Sequence, residues 1–226
     1  MTSTLFKINS LLKGIGYLVL YIILPSLISI PFLFIKKYLP NHSIITTILN
    51  IIPLLLTTII FILLSKETIK NNIKSFTKKE LITGLLHWLI GLSIMIISSI
   101  IISYFDIPLP LNEQLNREQL NNQLVYQITS SVLLVPIIEE IIFRLSTKDL
   151  SSNKHIYAIT TGLLFAILHL PDALLNPILL FHLIPISAVG IAFGYAYKKT
   201  NNILTTIIPH SLHNLISILK LIILGG

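Results

Sequence analysis

Two adjacent glutamates and an arginine, Glu139-Glu140-Ile-Ile-Phe-Arg144, sit inside a long apolar stretch where a membrane helix is expected. A carboxylate in lipid is costly unless it is paired or lines a water-filled cavity, so such groups are functional candidates. The arginine adds weight, because the chain has only two, Arg117 and Arg144. Residues four apart on a helix share a face, while neighbours diverge by about 100°. Glu140 and Arg144 are therefore placed to pair, whereas the i+4 neighbour of Glu139 is Phe143, which offers no charge. One carboxylate is braced and the other is free to take a proton from water, the task of a general base.

Histidines supply possible partners further on. Phe165-Ala-Ile-Leu-His169 closes one apolar run, with Pro171 just after, and Ile207-Ile208-Pro209-His210 opens another. His210 and Asn214 are i,i+4 and share a face; such a pair can hold a metal, a water or an oxyanion. His213 lies off that face and is the weaker candidate.

The elements that must position these groups are membrane helices. Of 226 residues, 54% are hydrophobic and 11% charged, and mean hydropathy is +0.86. Soluble domains carry roughly 25% charged residues, so that class is excluded. Uncharged runs of about 20 residues recur, each long enough to cross a bilayer core of roughly 30 Å. They are continuous rather than alternating, which selects helices over a closed barrel. The expected fold is all-α, a polytopic transmembrane bundle of seven spans near 14–35, 43–65, 81–105, 124–147, 156–171, 174–197 and 203–222. Pro177 and Pro185 are expected to kink or split the sixth. The first run is too long for a secretory signal and reads as a retained span. Residues 1–123 hold spans without motif, and 124–226 hold the chemistry. Zero cysteines remove thiol catalysis, thiolate metal sites and disulfides.

The charges orient the bundle. With the N-terminus inside, inner segments collect Lys7, Lys13, Lys66, Lys70, Lys74, Lys78, Lys79, Arg144, Lys148, Lys154, Lys198 and Lys199, twelve against Lys36, Lys37, Arg117 and Lys220 outside. Cytoplasmic loops hold the Lys/Arg excess, so the N-terminus is expected in the cytoplasm. The net charge of +7 is read as topology and contact with anionic membrane lipid, not as nucleic-acid binding. If the fourth helix runs to about Leu150, Glu139 lies roughly 16 Å, His169 roughly 18 Å and His210 roughly 12 Å from the inner ends. Similar depth permits the three to meet.

The motifs E-E-x-x-x-R (Glu139, Glu140, Arg144), F-x-x-x-H (Phe165, His169) and H-x-x-x-N (His210, Asn214) occur in order on successive spans. Over roughly Leu124 to Ile218 the chain resembles the CPBP intramembrane proteases, the group of CAAX prenyl proteases and bacteriocin-processing enzymes also called the Abi family. The resemblance implies that Glu139 activates the attacking water and that His169 assists it or binds a metal. It implies that His210 and Asn214 stabilise the oxyanion or complete a metal shell, with Glu140 and Arg144 holding the helix. H-E-x-x-H is absent, which excludes a thermolysin-like pattern. Glu139, His169, His210 and Asn214 suit zinc and equally suit a metal-free glutamate mechanism.

The activity expected is hydrolysis of a peptide bond at a cavity reached from the cytoplasmic side. The substrate expected is a membrane-associated peptide or protein with an apolar or lipidated segment. Heavy use of Ile, Lys and Asn points to an AT-rich, bacterial genome and so to the plasma membrane. That favours a bacteriocin or signalling-peptide precursor over a prenylated CAAX protein. The rival is a non-catalytic immunity or regulatory protein that keeps the motifs. A proton-relay transporter is disfavoured, because paired broken helices are missing. His42, His87 and His155 read as interfacial, Trp88 and the tyrosines near span ends as interfacial anchors. His182 falls mid-span without an explanation beyond a substrate cavity.

Overall fold

The computed structural model describes residues 2–39 and 44–224; His42 lies outside them, as do the side chains of residues 2–7, 10, 11 and 224. Every regular element among the described residues is helical. They are α1 (Thr2–Lys36), α2 (Ile44–Leu64), α3 (Lys66–Ser75), α4 (Lys78–Tyr104), α5 (Leu111–Asn122), α6 (Leu124–Ile128), α7 (Val135–Glu140), α8 (Lys154–Leu168), α9 (Leu183–Thr200) and α10 (Leu204–Leu224). Five stretches are long and apolar enough to cross a membrane, namely Leu12–Lys36, Ile44–Leu64, Lys78–Tyr104, Pro177–Thr200 and Leu204–Ile223.

Two expected spans take a different form. Residues 124–145 are one continuous helical run, but α6 and α7 alternate with π-helical turns at Thr129–Leu134 and Ile141–Leu145. In the first of these turns Val135 N–H bonds to Ser130 O, five residues back, and the cause is Pro136. In a regular helix its ring would press on the carbonyl four residues earlier, and a π turn widens the ladder there. In the second, Ser146 N–H reaches Ile141 O. The two widened turns bracket Glu139 and Glu140. The run ends at Leu145, two residues short of the expected 147, and Ser146 and Thr147 turn their hydroxyls back onto the carbonyls of Ile142 (2.6 Å) and Phe143 (2.7 Å).

The other departure is α8, which has 15 residues and is only about 22 Å long, short of the roughly 30 Å core. Pro171 stops it, and 3-10 turns at Pro171–Leu174 and Pro177–His182 lead into α9. The expected split of the sixth span thus falls before Leu183. Pro185 lies in the first turn of α9, where a missing N–H costs nothing.

Close backbone contact locks α8 onto α9. A Cβ on Gly162 would lie 2.5 Å from the backbone nitrogen of Ile191, and one on Gly194 would lie 2.7 Å from the Cα of Ala158. Small residues four apart allow this approach where lipid offers no hydrophobic drive. Across the other side of α9, a Cβ on Gly91 of α4 would meet Ala192 at 2.8 Å.

Trp88 and two tyrosines are not interfacial. Trp88 is buried against Val189 and Phe193 and donates its indole N–H to His213 Nδ1 (3.3 Å). Tyr157 and Tyr197 are buried and stacked, centroids 6.1 Å apart. At the lysine-rich end, Asn72 of α3 accepts from Ile203 N–H (2.7 Å) and from the Asn202 amide on its carbonyl (2.8 Å). This fixes the start of α10, and so the height of His210.

Candidate active site

The site begins with a buried ion pair. Arg144 Nε donates to Glu140 Oε2 at 3.0 Å, both side chains wholly buried. Arg144 Nη1 donates to Thr161 Oγ1 (2.9 Å), and the carbonyl of Arg144 accepts from the Tyr157 hydroxyl (3.0 Å). The pair therefore ties the 124–145 run to α8. A buried pair stabilises a fold only with such additional hydrogen bonds.

Glu140 also reaches α10: its Oε1 lies 2.9 Å from His210 Nδ1. The carboxylate, already salted by Arg144, can only accept, so His210 carries its proton on Nδ1 and turns the Nε2 lone pair the other way. His169 is set by the same logic. Its Nδ1 faces the carbonyl of Phe165 at 2.8 Å, which assigns a proton to Nδ1 and turns Nε2 toward Glu139. Phe165 further packs on the His169 ring (4.2 Å) and edge-on to Phe143 (5.3 Å), and Phe193 backs His210 (5.3 Å).

The two free nitrogens converge on Glu139. His169 Nε2 is 3.5 Å from Glu139 Oε1, and His210 Nε2 is 3.6 Å from Oε2. Both distances exceed a normal N–H···O bond of 2.7–3.2 Å. The Glu139 side chain is 8% exposed and that of His169 24%. His169 and Glu139 line a cavity of about 230 Å³ with Leu18, Tyr21, Leu111 and Leu115.

Asn214 is placed elsewhere. Its amide donates to the carbonyl of Ser131 at 2.7 Å, roughly two turns before Glu139. Val135 N–H is spent on Ser130 and Pro136 has no N–H, so the helix ladder passes over the Ser131 carbonyl. Asn214 supplies the missing donor. Since His210 meets Glu140 and Asn214 meets Ser131, α10 runs antiparallel to the 124–145 run.

The remaining histidines have local tasks. His87 Nδ1 meets Thr83 O (2.7 Å), and His155 Nδ1 meets the Tyr195 hydroxyl (2.8 Å). His213 accepts from Trp88. His182 stands at the start of α9, not mid-span, and its Nε2 faces the carbonyl of Pro108 (2.9 Å). Among the described residues no three His, Asp or Glu side chains are drawn into a metal-binding group. The two imidazoles face different oxygens of Glu139.

Sequence reasoning missed Thr161 and Tyr157, which hold Arg144, and Ser131 with Pro136, which engage Asn214. Pro136 within an apolar run was the available signal for the last.

Residues 121–216 match the family model described as type II CAAX prenyl endopeptidase Rce1-like. This segment carries an Rce1-like domain, in keeping with the CPBP and CAAX protease family, and it contains every motif residue of the site. The match supports an intramembrane endopeptidase activity. No curated protein and no solved structure matches the chain.

Proposed function

We propose that this chain, with its Rce1-like domain at residues 121–216, is an intramembrane endopeptidase whose general base is Glu139. The observation that carries the reading is the convergence of two tautomer-fixed imidazoles on the separate oxygens of one buried carboxylate. Water entering from the cavity sits beside Glu139 and Nε2 of His169, within reach of both. Glu139 removes a proton from that water as its oxygen attacks the peptide carbonyl carbon. The same proton passes to the departing nitrogen when the C–N bond breaks, leaving a carboxylic acid and an amine. His210 offers Nε2 to the other oxygen of Glu139 and accepts from that carboxyl once it is protonated, while Glu140 with Arg144 holds His210 in place. Asn214 acts on the helix through Ser131.

The substrate is a membrane-anchored peptide or protein with an apolar or lipidated segment, and the setting is a bacterial plasma membrane in contact with anionic lipid. Zinc enters as an arm of the test. The purified chain is reconstituted in lipid nanodiscs with a peptide mixture read by mass spectrometry, with and without chelator. The wild type is expected to cleave in chelator, with Glu139→Gln and His169→Ala inactive but folded. Cleavage that survives Glu139→Gln sinks the reading and leaves the non-catalytic immunity or regulatory role. Cleavage stopped by chelator and restored by zinc reassigns Glu139, His169 and His210 as metal ligands.

A further inference from the structure

The shortness of α8 leaves a depression in the molecule, and its contents point to how substrate arrives. With 27 residues, α4 rises about 40 Å from the lysine-rich end, against about 22 Å for α8. The turns at 171–182 therefore stop below the opposite end of α4, with only Ala173 and Leu179 among them buried. The connection after α4 is drawn down to them: Leu111 N–H donates to Asp172 Oδ2 (2.7 Å) and His182 meets Pro108 O (2.9 Å). From that low point α5 climbs back with the sequence Leu-Asn-Glu-Gln-Leu-Asn-Arg-Glu-Gln-Leu-Asn-Asn. Polar residues at membrane depth are stable where they line a water-filled space.

Two cavities flank α5. The one holding Glu139 and His169 is bounded by Leu111, Asn112 and Leu115. The other, about 440 Å³, is lined by Leu115 and by Asn50, Gln119, Asn122 and Gln123, with Lys36 and Glu118 balancing in charge. Leu115 borders both. Asn50 donates to Gln123 Oε1 (2.9 Å), which joins α2 to the end of α5 across this cavity. Side-chain amides offer a donor and an acceptor each, which matches the backbone of an extended peptide better than any charged side chain.

Resting on the peptidase reading above, we infer that substrate reaches Glu139 from the end opposite the lysine-rich loops, its extended backbone held by the amide-lined vestibule of α5 and threaded past Leu115. Because lysine-rich loops mark the cytoplasmic side, the vestibule faces outward. This replaces the cytoplasmic approach expected from sequence and names the substrate class. It is a membrane-anchored peptide with a polar, weakly charged segment displayed on the outer face.

The chain has no cysteine, so single thiols report position directly. Leu115→Cys and Gln119→Cys, with Lys74→Cys as reference for the lysine-rich end, are exposed to a membrane-impermeant maleimide in right-side-out and inside-out vesicles. The first two are expected to label from the outer face alone and the third from the inner face alone. A bulky maleimide adduct on Leu115→Cys is expected to reduce cleavage of the peptide mixture at least tenfold, while a methylthio adduct spares it. Labelling from the same face as Lys74→Cys overturns the inference, and so does cleavage unaffected by the bulky adduct. An unmodified protein that cleaves nothing instead fails the peptidase reading, whichever face labels.

Discussion

His210 and Glu140, 70 positions apart, are joined by a 2.9 Å contact between Nδ1 and Oε1, and the other oxygen of Glu140 is held by Arg144 at 3.0 Å. One carboxylate thus neutralises a buried guanidinium and sets the tautomer of a ring that faces Glu139. Glu140→Ala leaves the guanidinium uncompensated, at a cost of about 3–5 kcal/mol. Thermal unfolding in detergent should show that loss together with loss of cleavage. Glu140→Gln keeps the shape and is expected to unfold closer to wild type. If Glu140→Ala melts like wild type, the brace carries no weight.

The bonds around Arg144 are separable. Thr161→Val removes the acceptor for Nη1 inside a packed helix contact and is expected to destabilise by about 1–3 kcal/mol. Tyr157→Phe removes one donor to the Arg144 carbonyl, worth about 1 kcal/mol. Neither residue touches the convergence at Glu139, so catalytic turnover per folded molecule should be kept. A turnover drop without a stability change would place them in the chemistry instead.

Asn214 is the residue where two roles compete most sharply. If its task is to donate to Ser131 O where Pro136 cannot, Asn214→Ala costs about 0.5–1.5 kcal/mol from the loss of this half-buried hydrogen bond. Pro136→Ala then lowers that cost, since the restored N–H can close the ladder. A double-mutant cycle in unfolding free energy should therefore show strong coupling between positions 136 and 214. Additive effects, with a loss confined to turnover, would make Asn214 an oxyanion donor.

How far the chain could be read from its residues varies with range. The ion pair Glu140–Arg144 was legible because four residues make one helical turn, and the spans were legible because apolar runs match a bilayer. The motif resemblance brought His169 and His210 into view, but nothing local links His210 to Glu140. Trp88 was misread because hydropathy is blind to Val189, Phe193 and His213, which only the packed bundle brings to it. His182 stayed unexplained for a related reason: its partner Pro108 lies in the distant connection after α4. The end of α8 was placed three residues late, at 171 rather than Leu168, because Leu168-His169-Leu170 stays apolar on either side of the histidine, while the break comes from Pro171 and the 3-10 turns behind it.

Gly162 tests whether the α8–α9 contact sets the catalytic distance. A Cβ there would stand 2.5 Å from the backbone nitrogen of Ile191, and backbone cannot swing aside as a side-chain tip does. Gly162→Ala must push α8 from α9, with an overpacking cost of about 1–3 kcal/mol. Since His169 caps α8, the shift is transmitted to its 3.5 Å approach to Glu139, and turnover should fall further than stability alone explains. Gly16→Ala in α1, with nothing within 4 Å of its Cβ, is the matched control. It replaces a poor helix former and is expected to be neutral or to stabilise by about 0.5–1 kcal/mol. Equal behaviour of the two variants, in melting temperature and in cleavage rate, would separate the positioning of His169 from the α8–α9 contact.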